Sequence, residues 1–297
     1  MSEVDEILGT SNNNPYSTNI NANNYKHNNK KAWVEQQKKD RQQVYDTMDR
    51  MATIVSNDNQ KFQEYLNIQS RFSKYSVGNC LVILEKAPKS THIKDKESWE
   101  DKGIDLIENP KHIMILEPVK NNGVIYYNPK KVYDISQTNS PKQDENINYN
   151  VRAILQALLY ECPVPRKAVE TLSNGQIGSE YNQTDNVLYV CKNMDIETLF
   201  RTFCQEIAKI EMKDELNGNM KNFKSYCISY MLCKKYGIDV SSFNFSSLPS
   251  ELTTLNDPVE IRKTIGEIRD DFEKINDKMV DYFEMKNEEK KKANPER

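Results

Sequence analysis

Between residues 200 and 209 the chain reads FRTFCQEIAK. Phe200, Phe203, Cys204, Ile207 and Ala208 recur at spacings of three and four, which defines one buried face of an α-helix. Arg201, Gln205 and Lys209, each four residues apart, share the opposite face. A helix with so continuous an apolar stripe must pack on something. The rest of the chain therefore has to supply partner elements around it.

Those partners are readable on both sides. Before the helix, Ile177 to Tyr181 and Val187 to Val190 read as two strands around the turn Asn182-Gln183-Thr184-Asp185-Asn186. After it, a helix from about Asn222 to Tyr236 ends in Lys234, Lys235 and Gly237, a C-terminal signature. Asp257-Pro258 opens a last helix, expected over 257–285. Its residues Ile261, Ile265, Ile268, Phe272, Ile275 and Met279 alternate spacings of four and three, a seam that needs a cover within the chain or on a partner.

The first half reads differently. Residues 1–29 are rich in Asn and Ser, too poor in apolar side chains to offset the entropy of ordering. A helix is expected from near Lys30 to about Val55, with Val34, Val44, Met48, Met51 and Ile54 on its apolar side. Asn57 or Asp58 caps a shorter helix holding Phe62, Tyr65 and Leu66. Ser76 is an N-cap for an apolar helix that stops before Pro88, and Trp99 reads as core. Lys111 to Val119 is a strand, Gly123 to Tyr127 its hairpin mate after the turn Asn121-Asn122-Gly123, and Lys130 to Ile135 a further strand. Residues 136–148 read as a linker, Val151 to Tyr160 as a helix, and Pro163 and Pro165 as breaks.

Composition narrows the function. The 297 residues are 37% hydrophobic and 29% charged, with net charge −3. A strongly basic nucleic-acid binder is excluded, so any such binding needs a local patch and stacking. No window approaches a transmembrane span, and the N-terminus lacks the basic start and apolar core of a signal peptide. Cys80, Cys162, Cys191, Cys204, Cys227 and Cys233 show no C-x-x-C spacing and are expected as reduced thiols. A cytoplasmic location with no membrane partner follows as the expectation.

Gln205-Glu206-Ile207-Ala208-Lys209 has the frame of H-E-x-x-H with both histidines replaced. In that motif two imidazoles one turn apart clamp a zinc ion and the Glu is the general base. Gln is a poor zinc ligand, and a protonated Lys has no free lone pair. His27, His92 and His112 are the only histidines, all in the other half. Cys204 and Cys227 lie near the frame and read as small core residues; a relocated metal site built on them is the alternative. No catalytic residue, metal ligand or cofactor is assigned, and Glu206 is expected in an ion pair with Lys209 or Arg201.

An ordered series of motifs resembles the ArdC-type antirestriction proteins. Phe72 to Val119 is similar to their N-terminal domain: Tyr75, Ser76 and Asn79, then an apolar helix, Ala87-Pro88, Trp99, Gly103 and a strand ending in Pro118. Val132 to Thr138 resembles the phrase that closes that domain. Gly178 to Lys209 resembles the zincin-like domain that follows, and Tyr226 to Asp239 and Ser241 to Phe245 its continuation. The resemblance covers roughly residues 70 to 285. It implies a single-stranded-DNA-binding domain joined to a metallopeptidase-like domain, carried by plasmids, integrative elements and phages. It also places a third, acidic metal ligand near Lys224 to Tyr226, where this chain has no carboxylate.

The expected architecture is α+β. After the tail at 1–29 comes a DNA-binding domain at 30–140, helical with a small antiparallel sheet. A mostly helical, degenerate zincin-like domain with a β-hairpin spans 149–250; the helix 257–285 and a charged tail at 286–297 complete the chain. Candidate DNA contacts are Arg71, Lys74, Tyr75, Ser76, Asn79 and Lys111, a cationic and aromatic set around a helix N-terminus. The vestigial zincin positions are Gln205, Glu206, Lys209 and Tyr226. The expected function is that of a single-stranded-DNA-binding antirestriction accessory protein with a pseudoenzyme domain. The alternatives are a protein-interaction module using the zincin-like surface, with a host or element-encoded partner, and a metallopeptidase with rearranged ligands.

Overall fold

Helix α1 (Pro15–Asn57) buries Val44, Met48, Met51, Ala52 and Val55 in its second half. It starts at Pro15 rather than near Lys30, and Ile54 is turned outward instead of joining the apolar side. Extending a helix costs far less than nucleating one, so a polar segment can continue an established helix. The computed structural model describes residues 15–140, 150–160, 162–173, 175, 177–212 and 218–293. The first fourteen residues and most of the expected linker lie outside that description.

Asp58 caps helix α2 (Asn59–Arg71) by accepting from the Lys61 amide at 2.9 Å. Ser76 caps α3 (Val77–Lys86), whose residues Val77 to Leu84 are buried throughout. Strand β1 (Ile93–Lys94) and the short helix α4 (Lys96–Glu100) follow. Trp99 of α4 is core, and its indole N–H donates to the Tyr133 carbonyl at 3.0 Å. Strands β2 (Ile113–Asn121) and β3 (Val124–Asp134) form a hairpin in a sheet of order β1-β3-β2. Asn122 and Gly123 both have positive φ, 49° and 80°, which is the signature of a two-residue hairpin turn. The two strands expected at 123–127 and 130–135 are one, because β1 pairs only with Tyr133 and Asp134. Pro129 therefore meets no β1 partner that would need its missing N–H.

Helix α5 (Val151–Tyr160) leads to a second sheet of order β4-β6-β5. Strand β4 (Arg166–Val169) is parallel to β6 (Val187–Cys191), and β5 (Ser179–Asn182) is antiparallel to it. The two prolines concealed β4 from sequence reading. Ile177, expected in the β5 strand, lies outside it and is exposed. Helices α6 (Ile196–Glu211) and α7 (Gly218–Tyr236) pack on each other, and α6 also packs on β5. A short turn of helix, α8 (Ser250–Thr253), precedes the long α9 (Pro258–Ala293), which runs beyond the expected end at residue 285. The chain is α+β.

By packing, the molecule divides into two units: Met1–Val44 with Leu116–Pro129, and Tyr45–Ile115 with Lys130–Arg297. Within the larger unit α2 packs on α7 through aromatic rings: Phe62 lies 5.4 Å from Phe223 and 6.1 Å from Phe245. Tyr230 lies 5.1 Å from Phe245, and its hydroxyl donates to Asn67 at 2.7 Å. The α9 seam from Ile261 to Met279 is buried inside this unit, against α3, α5, α6 and α7.

Gly178 opens β5 with φ +93°, and a Cβ there would sit 2.3 Å from Thr202 Oγ1 of α6. Gly123 has a similar φ of +80° but open space around it. Gly178→Ala is expected to cost about 2–4 kcal/mol in chemical denaturation, from strain plus overpacking. Gly123→Ala is expected to cost about 1 kcal/mol, from strain alone. Equal losses would contradict the close contact of β5 with α6.

Candidate functional site

Two places carry the expected functional residues, both inside the larger unit. The first is helix α6. Asp195 caps it, accepting from the Thr198 amide at 2.8 Å. Phe200, Phe203, Cys204, Ile207 and Ala208 are buried as the spacing predicts. The other side is not simply solvated: Arg201, Gln205 and Lys209 are each half-buried, because α7 and β5 flank them. Arg201 donates to the Asp239 carbonyl at 3.3 Å and the Thr198 hydroxyl at 2.9 Å. Its own carbonyl accepts from Ser229 of α7 at 2.7 Å.

Glu206 is 8% exposed and is occupied on both oxygens. Oε1 accepts from Lys209 Nζ at 2.8 Å, and Oε2 accepts from the Tyr181 backbone amide of β5 at 3.0 Å. Of the two cations considered from the sequence, Lys209 is the partner. β5 is an edge strand, so its outward amides have no strand to bond. The Glu206 carboxylate satisfies one of them and joins helix to sheet.

The metal that an H-E-x-x-H frame implies does not fit these residues. Lys209 Nζ is engaged with Glu206 at 2.8 Å, and an ammonium group has donors but no acceptor to offer a metal. Tyr226 accepts from the Asn244 amide at 2.6 Å and lies against Phe243 and Phe245. Its neighbour Lys224 is buried and bonds Glu267 of α9, a cation beside the position where the resemblance places an acidic ligand. Burial raises the Asp271 carboxyl above its ordinary value, with Lys224 and Lys274 working against that rise. For Glu211 burial also acts upward, but hydrogen bonds from Lys274 and Lys278 outweigh it and hold the group below its ordinary value. These are structural pairings between helices. Among the described residues, no group of three or more His, Cys, Asp or Glu side chains is arranged to hold a metal. Cys204 and Cys227 are fully buried and their thiols are pushed upward by that burial; Cys233 is pushed up to about 12 for the same reason. None is a poised nucleophile.

The second place is the turn between α2 and α3. Gln69, buried in α2, donates to the carbonyls of Phe72 and Tyr75, both at 3.2 Å, and so shapes the turn that carries the candidates. The six candidates have different fates. Arg71 donates to the Ser90 carbonyl, Ser76 is spent on capping α3, and Asn79 is buried. Tyr75 is half-buried with its ring 5.9 Å from Phe72. Lys111 is exposed. Lys74 is exposed but lies 2.8 Å from Asp277 and 3.0 Å from Glu273 of α9. Beside it Lys235 donates to Ser73 at 3.3 Å; burial lowers its pKa, and the charge of Lys74 lowers it further. Lys74 and Lys235 line a cleft with Asp277 and Asp281. A phosphate entering it would meet carboxylates together with the ammonium groups. Lys130, at the start of the further strand expected from the sequence, pairs with Asp95 at 2.8 Å and draws that carboxyl down to about 2.

No family model matches the chain, and no curated protein matches it. Among solved structures the chain is similar to the antirestriction protein ArdC from plasmid R388. For the Mn(II)-bound structure of that protein the identity is 12% and the TM-score 0.46, covering 70% of this chain and 84% of that one. For its metal-free structure the values are 13% and 0.45, with 70% and 85% covered.

The pairing of Glu206 predicts its mutational cost. Glu206→Ala leaves a part-buried amide and an ammonium without an acceptor, an expected loss of about 1–3 kcal/mol in urea denaturation. Glu206→Gln keeps an acceptor for Tyr181 and is expected to lose about 1 kcal/mol. No loss in either variant would show that the carboxylate has no structural role.

Proposed function

We propose that the chain is a single-stranded-DNA-binding accessory protein of antirestriction type, carried by a mobile element, in which the zincin-like half is not a hydrolase. The observation that carries this reading is the replacement of the zinc-clamp positions by Gln205 and Lys209, with Glu206 spent on Lys209 and Tyr181. A catalytic zinc needs three protein ligands and an open position for water. The ordered motifs from Tyr75 to Pro118 support placing the activity in the other half. That half offers what a sequence-tolerant binder needs, cations for phosphates and ring faces for bases.

Of the alternatives, the interaction module loses the support of an uncovered apolar seam. The α9 seam that called for a partner is covered inside the chain. The metallopeptidase with rearranged ligands would need a metal-binding cluster. Zinc below about a tenth of an equivalent in protein purified without chelator would remove it.

The direct test is fluorescence anisotropy of a labelled single-stranded oligonucleotide across a salt series. Binding that weakens as salt rises is expected, since each neutralised phosphate releases a counterion. Lys74→Ala/Tyr75→Ala and Lys111→Ala should each reduce it if the α2–α3 turn and the foot of β2 touch the strand. No binding at low salt would overturn the reading.

A further inference from the structure

The β2–β3 ribbon carries a surface that the sequence motifs did not single out. Every residue from 117 to 128 is exposed, so neither face of this part of the ribbon has a core beneath it. Yet the stretch contains Val119, Val124, Ile125, Tyr126 and Tyr127, and the two rings are 51% and 47% exposed. Side chains alternate along a strand, so Val124 and Tyr126 take one face and Ile125 and Tyr127 the other. Each face thus presents one branched aliphatic and one aromatic ring to water. Contiguous apolar surface of this kind marks an interaction site.

The surroundings indicate the sign of the partner. The ribbon tip belongs to the smaller unit with the N-terminal part of α1. Arg41 of α1 donates to Asn128 of β3 at 3.3 Å, which ties the two together. Over residues 31–44 and 116–129 this unit has Lys31, Lys38, Lys39, Arg41 and Lys120 against Glu35, Asp40 and Glu117. The whole chain is acidic, at net −3, so this is a local reversal of charge. Trp33, 63% exposed, adds a third open ring on the same helix.

We infer that the β2–β3 ribbon is a stacking arm for single-stranded DNA, with Tyr126 and Tyr127 as base platforms and the cations of α1 and Lys120 serving the phosphates. This rests on the proposed function and names its contact surface. Base-edge readout in a duplex groove calls for hydrogen-bonding side chains on the entering face. Here each face offers a ring and an aliphatic, which suit unstacked bases.

The test uses the full chain, labelled oligo(dT) and anisotropy at fixed low salt. Tyr126→Ala/Tyr127→Ala should bind about 10- to 100-fold more weakly than wild type. Its salt slope should be unchanged, because the rings carry no charge. Tyr126→Phe/Tyr127→Phe keeps both ring faces and should bind within about threefold of wild type. If wild type binds and the alanine variant binds equally, the arm is wrong while the single-strand reading survives. Wild type failing to bind overturns both. Loss in the phenylalanine variant equal to that in the alanine variant would replace stacking by a role of the hydroxyls and also overturn the arm.

Discussion

Ile261, Ile265, Ile268, Phe272, Ile275 and Met279 leave almost no area to solvent, and α9 lays them against α3, α5, α6 and α7. Each such burial is worth about 1.5–3 kcal/mol relative to exposure. Exposed ion pairs contribute about 0–1 kcal/mol each. The seam therefore outweighs the pairs that accompany it, such as Lys74 with Asp277, and these set alignment more than stability. At Gly266, α9 lies beside Val77 at the start of α3, where an added Cβ would meet Val77 at an ordinary 3.7 Å. Because α9 touches both α3 and α6, it joins the helices before the first sheet to those after the second. The Phe62, Phe223, Phe245 and Tyr230 rings join the same two sets of helices through α2 and α7.

Polar pairs accompany that packing. The Glu206 carboxylate now bonds a helix neighbour and an edge-strand amide. Lys224 answers Glu267 across α7 and α9. Both pairs are bound into the packing of α6, α7 and α9, where an uncompensated charge would be costly. Helices α7 and α9 thereby hold α2 and α3 in place.

Much of this was legible in the sequence where the signal is local. The stripe from Phe200 to Ala208 gave α6, and Asp58, Ser76 and Asp257 announced three helix starts, because spacing and caps are set by near neighbours. The candidate site was less legible because its determinants are distant in sequence. Nothing near Lys74 indicates that Glu273 and Asp277 await it, and nothing near Arg71 points to the Ser90 carbonyl. The ribbon was half visible. The Asn122-Gly123 turn is a local signal, but Pro129 interrupts the strand pattern, so Tyr126 and Tyr127 read as ordinary hairpin residues. Their significance lies in what fails to cover them, which only tertiary structure reveals.

The measurement that tests the account most directly is hydrogen–deuterium exchange of the full chain with and without saturating oligo(dT). The account predicts protection confined to the first half, strongest over 113–134 and 31–44, with α6 unchanged. Protection centred on 196–211 instead would contradict it, by placing the ligand on α6.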